Sequence, residues 1–499
     1  NFEQFVETIN VGAFVQEQIG YNDYLFLTLG ARFDAHSAFG SNFNGQFYPK
    51  VSLSYIPSDS SGWSGLGPIS SLQLRTAYGM AGLQPGAFDA FTSYLALASA
   101  SGAGIAPNNL GDPDLKPEVS KEFEIGFNAG LFGDKFNLEF TYWDRITTDA
   151  LYARQFPLSG GFRNQQLTNV GELEANGMEI NLSGNIVRKG DLTVNAYVNA
   201  AYLKENVKSL GGAPPLKVGG SYPRYRNFLQ EGFAPGANFG AQLASVPSGS
   251  LPIDIANGDG LPDTNQQLVA FLTGNGSYSL PTSIGTGSVL LADDDGDGDY
   301  LDHYLGKSTP DWTGAFGGSV NYKNWTLNTT FEFKAGNFVV NNLTDAFRQA
   351  NGAIGRNLPR SAKVARDYAT GGVDAGFTPQ GDGNVRLAAL DEWLNNTLAL
   401  APFSGLNTLE KADFIRWREL SLNYNITGSI LNQFRLDTAS IGLSGRNIAI
   451  FTSYTGVDPE INFVGRGSGS NLDQNYGQGI AAFGWPIPTQ VLLTLKVGF

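Results

Sequence analysis

The stretch Asn324-Trp-Thr-Leu-Asn-Thr-Thr-Phe-Glu-Phe-Lys334 places Trp325, Leu327, Phe331 and Phe333 on one face of an extended chain. Asn328, Thr330, Glu332 and Lys334 fall on the other. Successive side chains of a strand point to opposite faces, so this segment is a ribbon with one apolar and one charged side. The same alternation runs through Leu25, Leu27, Leu29, Ala31 and Phe33 against Thr28, Gly30, Arg32 and Asp34. It returns in Phe136, Leu138, Phe140 and Tyr142 against Asn137, Glu139, Thr141 and Arg145, and in Phe123, Ile125, Phe127 and Leu131. A β-sandwich also alternates, but its strands are usually about 5–6 residues long, and these segments are longer. Charges such as Arg32, Glu139, Glu332 and Lys334 mark the inner face as wet, as the lumen of a large transmembrane barrel is.

Working back from Phe499, the pattern predicts strands at about 487–499, 436–452, 411–426, 324–337, 311–322, 190–206, 170–186 and 135–147, with earlier ones near 119–132, 70–78, 46–56, 22–35 and 3–18. Gly133-Asp134, Tyr322-Lys323 and Arg188-Lys189-Gly190 read as tight turns. The links at about 79–118, 207–310, 338–410 and 453–486 are long. Outer-membrane barrels have short periplasmic turns and long extracellular loops, and placing Phe499 at the periplasm satisfies this nearly throughout. The link at about 57–69 is the awkward turn. Roughly thirteen strands is an odd number, whereas a bacterial single-chain barrel closes with an even one. The expectation is an all-β, antiparallel transmembrane barrel that makes up 1–499 and continues towards the N-terminus beyond this sequence. On the last strand Val491, Leu493, Leu495, Val497 and Phe499 share a face, and a terminal Phe is expected to act as a barrel-insertion signal.

Composition narrows the function. The 499 residues include no Cys, 63 Gly, two Met, two His and a formal charge of -14. The missing Cys excludes disulfides, thiolate metal sites and a Cys nucleophile. The acidic balance disfavours nucleic acid, which needs clustered Lys and Arg. Aromatic residues at 12% exclude a disordered chain. No apolar run approaches the ~20 residues of a membrane helix, which says nothing of strands. The chain opens on Asn1-Phe2-Glu3, and the expectation drawn from this is that a longer protein supplies what precedes it.

Several stretches resemble the SusC/RagA family of TonB-linked outer-membrane proteins. Gly111-Asp-Pro-Asp-Leu-Lys-Pro-Glu118 with Glu122-Phe-Glu-Ile-Gly126 is similar to the family's "NPDLKPE…E.E.G" segment. Leu29-Gly-Ala-Arg-Phe-Asp34, Ser37-Ala-Phe-Gly40 and Tyr48-Pro49 resemble "R.D.SS.FG…FP". Asn169-Val-Gly171 with Asn176-Gly-Met-Glu179 resembles "N.G…N.G.E". Phe414 to Tyr424, Ser444-Gly-Arg-Asn447 and Tyr454-Thr-Gly-Val-Asp-Pro-Glu460 match "FLR…L.L.Y", "GRN" and "Y.G.DPE". The resemblance implies a barrel of about 22 strands with an N-terminal plug. It also implies import of a bulky nutrient, oligosaccharide or peptide, driven by TonB-ExbB-ExbD through the absent N-terminal part. A SusD-like surface lipoprotein would be the lid. The alternatives are a siderophore or cobalamin receptor without that lipoprotein, and a secreted calcium-binding β-protein with an adhesive role.

The sharpest chemical motif is Asp293-Asp-Asp-Gly-Asp-Gly-Asp299. Asp293, Asp295, Asp297 and Asp299, completed by Asp302, offer the clustered hard oxygens that Ca2+ takes. Tyr304 stands where an EF-hand has its bidentate Glu, so this is not an EF-hand. Asn257-Gly-Asp-Gly260 with Asp263 echoes the motif, but Ile255 fills its first position. Tyr222, Tyr225, Phe228, Trp393 and Trp485 are loop aromatics suited to stacking on a substrate, or equally to packing and membrane belts. Asn341 to Ala350 reads as a short loop helix. His36 and His303 stand without a nucleophile arrangement, no HExxH or nucleophile elbow occurs, and no enzyme activity is expected.

Overall fold

The computed structural model describes residues 7–99, 102–156, 159, 162, 164–218, 226–240, 302–344, 408–428, 431, 433, 435–462 and 478–499. Its main element is a thirteen-stranded sheet. The strands are β1 (Asn10–Tyr21), β2 (Leu25–His36), β3 (Gln46–Tyr55), β4 (Ile69–Leu83), β5 (Glu118–Leu131), β6 (Phe136–Thr148) and β7 (Glu172–Lys189). They continue with β8 (Leu192–Ser209), β9 (Trp312–Tyr322), β10 (Trp325–Ala335), β11 (Phe414–Ile426), β12 (Thr438–Thr452) and β13 (Gln490–Gly498). Each strand pairs antiparallel with the wall strand before and after it, giving an up-and-down meander. β1 and β13 are its edges, and neither has a second neighbour among the described residues. The alternation in the sequence located all thirteen. The first begins later than expected, at Asn10, and runs on to Tyr21, where Asn22 and Asp23 turn with φ of 47° and 58°. Two left-handed residues make the hairpin turn whose twist matches its strands, and Asn and Asp tolerate that conformation better than other side chains.

The outer face is continuous across strands. Val194, Val320, Leu327, Leu422, Leu443 and Leu493 stand in register from β8 to β13. An apolar band of this extent is stable against hydrocarbon and an aggregation hazard in water. Aromatic rings mark the turn side of the band: Tyr21 and Tyr24 at 5.8 Å, Tyr24 and Tyr55 at 6.1 Å, Phe132 and Phe136 at 6.4 Å, Trp325 and Tyr424 at 4.6 Å. Lys135 lies over Phe136 and Lys323 over Tyr322, a pairing suited to a headgroup layer. Phe33, Phe123, Phe451 and the Tyr202–Trp312 pair mark the other side. Along β2 the rise from Tyr24 to Phe33 is about 23 Å at the usual strand rise and tilt, close to the height of a barrel's apolar band.

The two ends of the sheet differ. At one end the links are short, including turns at Gly133-Asp134 and Lys323-Asn324; the awkward 57–69 link carries a 3-10 turn, Pro57–Asp59, held by Ser58 Oγ donating to Leu72 O and by Trp63 Nε1 donating to Ser70 O. At the other end the connections are long and carry small sheets of their own. Ser93–Ser99 pairs with Gly102–Asn109, and Leu151–Gln155 with Gln165–Asn169. A four-stranded sheet joins Leu216–Lys217, Asn227–Leu229, Ala237–Gly240 and His303–Gly306. A three-stranded one joins Leu409–Lys411, Val339–Asn342 and Ile480–Ala481. The last corrects the start of the helix expected from Asn341: Asn341 and Asn342 are strand residues, because their backbone pairs with two other loop segments, and helix begins at Leu343 and Thr344. The remainder of that segment, from 345, lies outside the described residues.

Candidate functional site

The inner face of the sheet is mainly polar, with Phe14, Phe26, Trp143 and Leu492 among the apolar residues that share its parity. Around β1–β7 it carries Arg32, Asp34, Lys50, Arg75, Glu122, Glu124, Arg145 and Glu179, which share the inward parity. Arg32 Nε grips both oxygens of Asp34 at 2.8 Å, and Arg145 reaches Glu122 at 2.5 Å. Arg75 donates to Thr141 Oγ1 at 2.5 Å. Around β8–β11 the side chains are amides and hydroxyls. Asn195 Nδ2 donates to Ser319 Oγ at 3.1 Å, Asn328 Nδ2 to Ser421 Oγ at 3.2 Å, and Tyr197 pairs with Thr330 at 3.0 Å.

The described parts of the long connections fold inward over this face at the end opposite the short turns. Val207 of β8 and Leu173 of β7 face each other in register on the lumen side. Val207 is fully buried because Leu229, Leu210, Tyr152 and Ala150 cover it, with Leu216 alongside. Phe414 of β11 is buried in the same way by Phe338, Val340, Ala412, Tyr454 and Ala481. Buried asparagines then knit three separate connections together. Asn227 Nδ2 donates to Gly236 O at 3.1 Å, to Gln478 O at 3.1 Å and to Ser308 Oγ at 3.4 Å. Asn238 Nδ2 donates to the same Ser308 Oγ at 3.0 Å. Val339 N donates to Lys307 O at 2.9 Å, and Asn341 N to Gly479 O at 2.7 Å. An amide buried without partners costs free energy, so such bonds select one arrangement of the loops.

Two further clamps use the motifs quoted above. Leu115 is fully buried, and its carbonyl accepts from Gly40 N at 2.7 Å, while Asn42 Nδ2 donates to Asp114 Oδ1 at 2.8 Å. Asn169 holds the same segment from the other side: Lys116 N donates to Asn169 Oδ1 at 2.9 Å, and Asn169 Nδ2 to Lys116 O at 2.8 Å. Lys116 pairs with Asp149 at 3.0 Å. The second clamp is ionic. Arg416 meets Asp458 at 2.5 Å and Glu460 at 2.7 Å, and Arg418 meets Glu460 and Glu332 at 2.5 Å each. Arg416 and Asp458 are almost wholly buried, with side chains 5% and 3% exposed. Arg418 is an extra residue in β11, since Thr330 pairs with Glu419 and Phe331 with Trp417. That bulge brings two arginines to one side while Trp417 stays outside, stacked on Phe331 at 5.4 Å.

Of the residues singled out for metal binding, Asp293, Asp295, Asp297 and Asp299 lie outside the described residues. Asp302 is exposed and sits 3.6 Å from Nδ1 of the buried His303. Tyr222, Tyr225 and Trp393 also lie outside, as does the 255–263 echo. Phe228 is half-buried, 5.9 Å from Phe239 with the Arg226 guanidinium over its ring. Opposite it, burial and then the charge of Arg226 push the Lys217 ammonium down to about 8. Trp485 precedes β13 and is 85% exposed, next to the outward row from Val491 to Val497. Phe499 ends that row and is 87% exposed. The clamps escaped sequence reasoning. The motifs that build them were legible, but their partners are tens of residues apart and nothing in spacing joins them.

This is the wall of an outer-membrane β-barrel, apolar outside and wet inside, with its mouth narrowed by its own loops. A sequence model of the family "TonB dependent receptor-like, beta-barrel" matches residues 1–267, more than half of the chain, and the chain belongs to that family, whose place is the outer membrane of Gram-negative bacteria. TonB-dependent receptor P3 of Formosa agariphila is 25% identical over 486 residues, covering 94% of this chain and 44% of the relative. TonB-dependent receptor P39 of the same organism is 24% identical over 97% of this chain and 46% of its own length. The chain therefore spans less than half the length of these curated relatives. Its fold is that of the RagAB peptide importer in its closed-closed state, with a TM-score of 0.68 at 20% identity over 98% of this chain and 48% of that one. The SusC/RagA resemblance read from the motifs is borne out.

Proposed function

We propose that the chain is the barrel wall and mouth of an active importer that carries a bulky nutrient, an oligosaccharide or a peptide, across the outer membrane. The observation that carries this reading is a polar lumen beneath three inward-folded, interlocked loops. A porin-like hole would leave its mouth open, whereas a transporter of scarce cargo selects at the mouth. In this reading the long connections are extracellular, the tight turns periplasmic, and TonB-ExbB-ExbD supplies the driving force. The likeness to a chain of RagAB, whose description is of a peptide importer, supports import of a bulky nutrient.

A SusD-like surface lipoprotein is the proposed partner. The Ser93–Ser99 and Gly102–Asn109 hairpin supports it, because Tyr94, Leu95, Leu97 and Ile105 are exposed at the long-loop end, away from the membrane band. Exposed apolar side chains so grouped fit a protein partner. Mass spectrometry of the protein purified from detergent-solubilised outer membranes tests this: a co-purifying lipoprotein is expected, and its reproducible absence under mild detergent would favour a receptor of siderophore or cobalamin type. The acidic segment is proposed as a Ca2+ site on its sequence pattern, with Asp293, Asp295, Asp297, Asp299 and Asp302 as ligands. Terbium luminescence, competed by Ca2+ and lost in Asp295→Ala with Asp297→Ala, is the expected result; an unchanged signal in that double variant would remove the site. Tyr222, Tyr225, Trp393 and Trp485 are proposed cargo-facing aromatics. Phe499 is proposed as the insertion signal.

A further inference from the structure

One acid breaks the outward apolar rows. Glu17 of β1 stands in register with Leu29 on β2, which pairs in turn with Val51 on β3, and Val15 and Ile19 flank it on the same face. Tyr21 and Tyr24 mark the turn-side level of the band and Phe33 the other, so Glu17 lies between the two levels of rings. Among the described residues no other outward side chain between those levels is charged. Asp144 stands level with Phe123, and Lys121 lies further towards the long connections. The Glu17 side chain is exposed and makes no hydrogen bond or ion pair with a described residue. A charge facing hydrocarbon alone is costly, and ionisable side chains at membrane depth are found paired.

β1 is also an edge of the sheet, and its backbone shows how that edge is covered. Ser37 N donates to Ile9 O at 2.9 Å, and these two residues continue the β1–β2 register. Backbone groups alternate in direction along an antiparallel strand, so the odd-numbered residues of β1 bond to β2 and those of Gln16 and Gln18 point to the free edge. Backbone polar groups are not left open in hydrocarbon, so a further strand pairs there. It is not β13: in a meander of thirteen strands β1 and β13 run in the same direction, and an antiparallel neighbour of β1 runs opposite. Nine residues precede β1 here, too few for a turn and a spanning strand of about 9–11 residues, and the curated relatives are about twice as long. We infer that the neighbour is the wall strand encoded directly before Asn1, and that it sets a Lys or Arg outward against Glu17 as an ion pair on the lipid face. Across this edge Glu17 belongs to a non-hydrogen-bonded pair, the kind whose side chains approach closest, with Cα atoms about 4.5 Å apart. An acid and a base so placed neutralise each other at a depth where either alone is expensive. The pair goes beyond the importer reading and does not depend on it.

The test uses the full-length receptor in outer membranes and follows its rate of unfolding in urea by the loss of heat-modifiable gel migration. The sign of the change decides. With a cation opposite, Glu17→Leu strands that cation and is expected to speed unfolding about ten-fold, the scale of a hydrogen bond to a charged group. Glu17→Lys is expected to speed it further, and exchanging the two charges between the strands to restore the wild-type rate. A lone carboxylate gives the opposite result: Glu17→Leu then slows unfolding, because an apolar side chain replaces a charge in hydrocarbon, and the inference falls. An unchanged rate in Glu17→Leu overturns it equally. The 499 residues contain no Cys, so a thiol placed here by Glu17→Cys is easily located. With a second Cys in place of the cation, oxidation is expected to join two peptides of one receptor, as read by mass spectrometry without reduction. Disulfide-linked receptor dimers from Glu17→Cys alone would set a second copy against the carboxylate and overturn the inference. A preceding wall strand with no outward Lys or Arg opposite Glu17 overturns it before any variant is made.

Discussion

At the residue scale the ionic clamp is the most exacting feature. Arg416, Arg418, Asp458, Glu460 and Glu332 come from two wall strands and the last long connection, and they meet where water is largely excluded. Ion pairs of this kind add little over an apolar equivalent, but removing one partner strands the other. Arg416→Ala is thus expected to cost about 3–5 kcal/mol. It should lower the temperature at which the folded barrel loses its anomalous migration on a detergent gel, and Arg418→Ala should do less because Arg418 is more exposed. A wild-type transition in Arg416→Ala would show that the clamp is not formed in the membrane. Neither arginine was legible as a pinning residue. Both sit in a stretch that resembles a family motif, yet the carboxylates they meet lie 42 positions away.

At the scale of elements, the strands were legible because one simple period governs them. Where alternation failed, a bulge was the cause. In β11 the outward set changes from Ile415 and Trp417 to Leu420, Leu422 and Tyr424, so the parity flips across Arg418. The outward rows make their own prediction: Leu327→Arg, set midway in the band between Val320 and Leu422, is expected to cost about 2–4 kcal/mol. The inward Asn328→Gln should leave stability unchanged. Equal effects would mean that the faces are misassigned. The loop sheets were not legible, since their strands are two to eight residues long and owe their existence to partners in other connections. For the exposed 93–109 hairpin, replacement by a short Gly-Ser turn is expected to abolish co-purification of the lipoprotein while leaving the barrel's heat-modifiable migration intact. Retained co-purification would place the partner elsewhere on the mouth.

At the scale of the whole molecule, an apolar belt, a polar lumen and an inward-folded mouth are parts of one device. In the proposed importer the belt fixes the barrel in the membrane, the lumen offers passage, and the loops restrict entry. The number of wall strands was already countable in the sequence: among the described residues there are thirteen, with β1 and β13 as edges. The sequence could not disclose how the loops interlock, because buried Asn227, Asn238 and Asn341 are indistinguishable by composition from the many surface asparagines. Import by this barrel is proposed to be energised, and initial uptake of a nutrient digest decides it in four strains: wild type, receptor deletion, TonB deletion, and wild type with the proton-motive force collapsed. The same low rate is expected in the last three. Uptake that requires the receptor but persists without TonB and without the proton-motive force would show a passive pore and contradict it.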